Sequence, residues 1–341
     1  MASKIAYEFL EFLSPTISFE VGNVSKLPLI IDKNKYDTII SISKENVEIS
    51  REDWNLSETS WDFKRHPLIM ANSNSLEESF SLWQLERNKA FNRIKENEIK
   101  LNNMFIDIYG LHGEIDPNVL NKEITIRTAN REVDIKSFIS YVVGCILGRY
   151  SINVEGIIYA GGEFENKWNL WGGKVRKIEK DDEGNIISDT WVNATFVPNF
   201  NNIVPITEDE YFEDDIVSTF INFIRIVYGN KSLEENLDFI ADSIGRKVSE
   251  TSRETIRRYF IKDFYKDHLK IYKSGNSGSR PIYWMFESGK TDGFKCLVYM
   301  HRYNEQTIAK VRTDYLHMLQ RKYESEIERL QKIYLINLIL I

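Results

Sequence analysis

Apolar residues fall at helical spacing along most of the chain. Leu76, Phe80, Trp83, Arg87, Ala90, Ile94, Asn97, Leu101, Met104 and Ile108 alternate spacings of four and three, which predicts one long helix with a heptad seam interrupted at Arg87 and Asn97. Such a seam needs a partner helix. Glu86, Lys89, Arg93, Lys95, Glu96 and Lys100 form its mixed-charge exterior, and Gly110 suits the left-handed position after its end. A second heptad-like helix runs from about Glu305, through Leu316, Leu319, Tyr323, Leu330 and Ile333, broken at Glu326 and Asn337. It is a natural antiparallel partner for the first, or for a second copy of itself. Its last stretch, Ile333 to Ile341, is apolar, which fits either a truncated reading frame or an end that docks on the body.

Shorter elements fill the rest. Ala2 to Leu13 reads as a helix stopped by Ser14-Pro15. Ile17, Phe19 and Val21 alternate with polar residues like a half-buried strand, ahead of the run Leu27 to Ile31. Asp32 to Ser43 and Ser50 to Leu56 predict two short helices, the second capped by Ser50 with Asp53 in its first turn. Trp54, Trp61 and Phe63 form a set of large side chains around His66-Pro67, expected to act as a hydrophobic clamp rather than to stack on bases. Glu123 to Arg127 alternates like a strand, and Arg131 to Leu147 is a strongly apolar helix in which Gly144 and Gly148 suit close packing. After Ile152 to Tyr159 come Ala160-Gly161-Gly162-Glu163 and Trp168 to Lys174, read as exposed loops; the phosphate-loop pattern Gly-x-x-x-x-Gly-Lys-Ser/Thr is absent.

Asp181 to Gly184 is an acidic turn and Trp191 to Val197 a strand. Glu208 to Tyr228 predicts a helix with carboxylates in its first turn, favoured there by the helix dipole; a divalent-metal site would need ligands at loop spacing, which are missing. Ser252 onward is amphipathic: Ile256, Phe260 and Phe264 lie on one face and Arg258, Lys262, Lys266 and Lys270 nearly opposite. A Gly/Ser break at Ser274 to Ser279 precedes two runs, Pro281 to Phe286 and Phe294 to Met300, joined by the turn-rich Glu287 to Gly293. That is a hairpin signal.

The architecture expected is α+β, mainly helical, with small antiparallel sheets, long heptad-like helices and several modules. Composition agrees: 42% hydrophobic and 28% charged residues in 341 are a globular balance with length for more than one core. Net charge is −7, yet it is unevenly spread. Glu179 to Asp242 holds 15 Asp/Glu against three Lys/Arg, and Arg246 to Arg302 holds 13 Lys/Arg against six Asp/Glu. An acidic module precedes a basic one. The basic one supplies candidate phosphate contacts at Arg253, Arg257, Arg258, Lys262, Lys266 and Lys270, with Lys290, Lys295 and Arg302 as outer support. Such contacts position a protein on nucleic acid without reading sequence. A solvated basic face over an apolar stripe is the competing account.

Catalytic chemistry is not evident. The histidines His66, His112, His268, His301 and His317 are scattered with no Ser or Cys elbow, and no His/Cys group has zinc spacing. Glu179-Lys180 lacks the nuclease arrangement of Pro-Asp followed by Glu-x-Lys. Cys145 and Cys296 are far apart in apolar surroundings and are expected to be buried free thiols of a cytoplasmic protein. No basic-then-apolar signal pattern opens the sequence, and no apolar run has the length to span a membrane.

The blocks WDFKRHPLI, MFIDIYG, DIKSFISYVVGCILGRYSINVEGIIYAGGE, SRETIRRYFIKDFYKDH and RPIYWMFESGKTDGFKCLVYMHRY resemble, in order, the C-terminal part of the PglX-type adenine-specific DNA methyltransferases of BREX phage-defence systems. The similarity runs from roughly Phe19 to Tyr323. It implies a component that marks host DNA by N6-adenine methylation and takes part in excluding phage. It also implies that residues 1–31 close a target-recognition domain lying largely upstream. Residues 32–110 would then be a helical spacer, 111–245 the acidic α+β module, 246–303 the basic helix and hairpin, and 304–341 a C-terminal helix. Amino-methylating enzymes of this kind carry an Asn/Asp-Pro-Pro-aromatic motif and a Gly-containing S-adenosylmethionine loop. Here Asp116-Pro117 continues as Asn118-Val119, so no catalytic or cofactor residue is expected in this chain and S-adenosylmethionine is expected only in a full-length relative. The partners implied are double-stranded DNA, other BREX components and a phage-encoded DNA mimic, with no membrane. A protein scaffold without DNA contact is the alternative.

Overall fold

A computed structural model describes residues 3–14, 20–70, 73–273, 278–289 and 293–339. In chain order the helices and strands are α1 (Lys4–Leu13), α2 (Val21–Val24), α3 (Tyr36–Asn55), α4 (Pro67–Met70), α5 (Leu76–Tyr109), α6 (Arg131–Leu147), β1 (Trp168–Asn169), β2 (Lys174–Lys180), β3 (Ile186–Asn193), β4 (Ile203–Ile206), α7 (Ile216–Tyr228), α8 (Leu233–Ser243), α9 (Ser252–Lys262), α10 (Phe264–Ile271), β5 (Tyr283–Glu287), β6 (Lys295–Tyr299), α11 (Thr307–Lys310) and α12 (His317–Ile339). The mainly helical α+β expectation holds, with two antiparallel three-stranded sheets ordered β1-β2-β3 and β4-β6-β5. Among the described residues no helix is long and apolar enough to cross a membrane. The chain divides into two units, one of Met1–Ser60 with Phe80–Asn130, the other of Trp61–Ser79 with Arg131–Ile341.

In the first unit the long seam finds its partner in α3. The two helices run antiparallel: Lys35 pairs with Asp107 at 3.0 Å, Glu45 takes a fork from Arg93 at 2.7 and 2.8 Å, and Asp53 pairs with Arg87. The seam's two polar interruptions are therefore contacts, not defects. Arg87 is buried on Asp53 and the Arg127 carbonyl, and buried Asn97 donates to Glu45 at 3.0 Å and Asn46 at 2.8 Å. Polar residues in an apolar seam fix register, because a slipped helix would leave them unpaired. Below them Phe91 and Ile94 pack with Val119, Ile124, Ile126 and Ile49.

Several local expectations are corrected. Asp32 to Leu56 is not two helices: α3 is continuous, with Ser50 in its interior. Glu123 to Arg127 forms no strand, although Ile124 and Ile126 are buried as alternation requires. Val21 begins a helical turn and is exposed rather than ending a half-buried strand; Ile17 and Phe19 lie outside the described residues. Trp54 and Trp61 are exposed, so of that aromatic set Phe63 alone is in a core. The carboxylates from Glu208 to Asp214 precede α7 instead of filling its first turn, and Asp215 caps it.

The second unit is built around α6. Phe138 to Leu147 is buried without interruption. Tyr141 stacks on Tyr150 with centroids 5.1 Å apart, Phe63 meets both rings edge-on, and Phe138 meets Tyr228. Gly144 makes this possible, since a Cβ there would overlap the Tyr150 ring. The predicted hairpin is β5–β6, where Leu297 sits between Val204 of β4 and Met285 of β5. Ile203, Phe294, Cys296 and Val298 pack with Phe212, Tyr315 and Leu319, which anchors the C-terminal helix. The predicted helix from Glu305 is observed as α11, a π-helical stretch Val311–Leu316 and α12. Both cysteines are buried free thiols, and burial pushes the Cys296 thiol up to about 12.

Candidate nucleic-acid interface

The amphipathic segment after Ser252 bends. Thr251 caps α9, accepting from the Glu254 N–H while the Glu254 carboxylate accepts from the Thr251 N–H at 2.7 Å. The helix ends at Asp263, and α10 starts at the next residue. Ile256, Phe260 and Phe264 form the buried face, with Phe260 packed edge-on against Phe220 of α7. The apolar half of the pattern is therefore as read.

The basic half splits into two populations. Half-buried Arg257 forks on Asp215, Nη1 to Oδ1 at 2.8 Å and Nη2 to Oδ2 at 2.9 Å, and Nη1 also donates to the Thr207 carbonyl at 2.8 Å. Lys295 donates to the Ile261 carbonyl at 2.9 Å and is 8% exposed. Arg302 donates to the carbonyls of Leu147, Asn199 and Phe200 and lies 3.8 Å from the Phe164 centroid. Arg258 holds Glu250 in a fork at 2.7 and 2.9 Å, which draws that carboxyl down to about 2. These four side chains tie elements together.

The other population is exposed. Lys262 of α9 and Lys266 and Lys270 of α10 are exposed, and Arg253 makes an exposed fork with Glu234 at 2.7 and 2.6 Å. Lys266 approaches Asp263 at 3.4 Å and Lys270 approaches Asp267 at 2.9 Å, yet their side chains remain 71% and 76% exposed. Pairs this exposed contribute about 0–1 kcal/mol. Replacing such a carboxylate by a phosphate costs little. Lys290 lies outside the described residues.

Lys136 of α6 joins this surface, which sequence spacing gave no means of finding. Its ammonium reaches Glu132 at 2.7 Å and Asp267 at 3.2 Å. Burial works to raise the Asp267 carboxyl, but Lys270 and Lys136 hold it below the usual carboxylate range. Of the stretch read as an exposed loop, Trp168 is instead buried in β1, whereas the Trp171 indole is 92% exposed with the Phe200 ring 5.1 Å away and exposed Lys174 opens β2. Among the described residues no group of three or more His, Cys, Asp or Glu side chains is placed to hold a metal ion.

No protein-family model matches the chain. Two curated proteins do match, over almost all of it. The adenine-specific methyltransferase PglX of Lacticaseibacillus casei (strain Zhang) is 40% identical over 338 residues, which is 97% of this chain and 26% of that protein. The resemblance is to a segment of a PglX-type adenine-specific methyltransferase. The adenine-specific methyltransferase BrxX of Escherichia coli O9:H4 (strain HS) agrees, at 36% identity over 97% of this chain and 27% of its own length. The chain thus spans about a quarter of the length of these two relatives.

Proposed function

We propose that the chain is a non-catalytic C-terminal region of a BREX-type adenine-specific DNA methyltransferase, and that it helps hold double-stranded DNA against a catalytic domain carried elsewhere. One observation carries this reading: similarity to two adenine-specific methyltransferases runs through 97% of a chain that lacks the Asn/Asp-Pro-Pro-aromatic motif. S-adenosylmethionine would belong to the full-length protein, acting in the cytoplasm. The DNA surface would be the exposed ridge of Lys262, Lys266 and Lys270, with Arg253 and Lys136 at its sides, whereas Arg257, Arg258, Lys295 and Arg302 maintain the scaffold. Lysines on phosphates give affinity that falls with salt. The test is fluorescence anisotropy of the purified chain with a labelled duplex across salt concentrations: steeply salt-dependent binding supports the reading, and no binding at low salt removes it.

A second reading draws on the acids interleaved with those lysines. Asp263, Asp267 and Glu132 leave the ridge nearly balanced. A surface of this kind suits a protein scaffold for other BREX components or an acidic DNA mimic. Capture of such a component by a chain that ignores DNA would favour it.

A further inference from the structure

Arg149 follows Gly148 just beyond the end of α6 and is 7% exposed. A guanidinium carries five N–H donors. Here Nε donates to the Tyr150 hydroxyl and Nη1 to the Tyr299 hydroxyl, each at 3.0 Å, and the Tyr150 ring centroid lies 5.3 Å away. Two bonds leave three donors without an acceptor among the described residues, and none of those residues offers Arg149 a carboxylate. The contrast with Arg257, forked on Asp215, is sharp. A buried cation without a counter-charge costs several kcal/mol, so a site that keeps one has a use for it.

The surroundings add donors and withhold acceptors. His268 is 1% exposed, and its Nε2 accepts from the Tyr283 N–H at 3.3 Å, which puts the proton of the neutral ring on Nδ1. That Nδ1 meets no hydrogen-bond partner. The Tyr299 hydroxyl is already committed, donating to the Tyr159 carbonyl at 2.7 Å. Burial first, and the Arg149 charge second, depress both His268 and the exposed His301, so both imidazoles lie within reach of that charge. His301 marks the way out: its ring is 5.1 Å from that of Tyr299, and a Cβ on Gly161 would lie 3.7 Å from its Cδ2. Gly161 has φ +132°, which keeps that turn bare of side chain.

We propose that Arg149 anchors a binding site for a phosphate-type oxyanion, entered past His301 and the Gly161-Gly162 turn. A tetrahedral oxyanion matches a fork with three spare N–H groups better than a carboxylate, because it offers acceptors in more than one plane. The source is either free phosphate or a phosphodiester of the DNA backbone. The site uses none of the ridge lysines, so it stands or falls separately from the DNA reading.

The test is phosphate binding to the purified chain, followed by ³¹P NMR titration and by melting temperature in sodium phosphate against sodium chloride at equal ionic strength. Saturable binding, with a rise of about 2–4 °C once phosphate is about tenfold above its Kd, is expected for the parent. Arg149→Gln should abolish both signals. Arg149→Lys, which keeps the charge and whose folding is checked by its melting temperature in sodium chloride, should weaken binding at least about tenfold by losing the fork. Non-saturable binding by the parent, or equal binding by Arg149→Lys, overturns the proposal and leaves the donors to water. Competition then separates the sources: phosphate that displaces a labelled duplex from the parent assigns the site to the DNA backbone, and phosphate that binds without displacing it assigns a free anion.

Discussion

Asp215 grips Arg257 and caps a helix with one carboxylate. Its Oδ1 and Oδ2 take the guanidinium at 2.8 and 2.9 Å, while Oδ2 also accepts the N–H groups of Val217 at 3.0 Å and Ser218 at 3.1 Å. Asp215 is fully buried, so α9 is locked to the start of α7 in a place where neither charge tolerates loss of the other. Asp215→Ala should destabilise by about 3–5 kcal/mol, and Arg257→Met combined with Asp215→Asn by less than the single charge removals. Urea denaturation of Asp215→Asn, Arg257→Met and their double variant, alongside Asp215→Ala, checks this; additive losses in the double would contradict it.

Gly144 gives a prediction of the opposite kind, from overpacking. An added methyl meets the Tyr150 ring of the Tyr141–Tyr150 stack. Gly144→Ala should cost about 1–3 kcal/mol despite the helix propensity of alanine. A melting temperature equal to that of the parent would show that Tyr150 moves aside freely.

Acid lability follows from His268. Burial first, and Arg149 second, push its pKa from the ordinary 6.5 down to about 3. The folded state therefore refuses a proton that the unfolded state accepts. Stability from this group is complete above about pH 6.5 and falls by about 1.4 kcal/mol per unit as pH drops from there toward 3. Glu250, drawn down to about 2 by Arg258, adds a further loss between pH 4.5 and 2. Urea midpoints between pH 7 and 5 should decline in the parent and flatten in His268→Asn; parallel slopes would contradict the assignment.

Arg87 and Arg93 separate buried from exposed pairing on one helix. Arg87 is buried on Asp53, while Arg93 forks Glu45 with its own side chain 52% exposed. Arg87→Ala should cost about 3 kcal/mol or more, and Arg93→Ala clearly less, because its exposed fork is screened by solvent. Equal losses in chemical denaturation would mean that the α3–α5 register is not set by Arg87.

Elements whose pattern is local were legible in the sequence. α5, α6 and the β5–β6 hairpin follow from periodicity within each segment, and Gly110 takes the left-handed φ of +67° that its place after α5 required. The failures share a cause. Ser50 looked like a cap because capping residues also occur inside helices; only the pairing of α3 with α5 shows that the helix continues. The cations at Arg257, Lys295 and Arg302 read as a surface because their acceptors, Asp215 and the carbonyls of Ile261, Leu147, Asn199 and Phe200, come from other segments. Spacing within one helix cannot reveal that. Arg149 is hidden for the same reason, as nothing local to Gly148-Arg149-Tyr150 tells that no carboxylate comes near.

The central claim is that the lysine ridge on α9 and α10 meets DNA phosphates while the inner cations hold the fold. The most direct test is the salt dependence of duplex binding by the parent and by Lys262→Glu, Lys266→Glu and Lys270→Glu combined. If each lysine meets one phosphate, the slope of log K against log salt should shrink by about 2–3 in the triple variant, with binding weakened across all sequences. The melting temperature should stay within a few degrees of the parent, since these side chains are exposed. An unchanged slope and affinity in a folded triple variant would contradict the account.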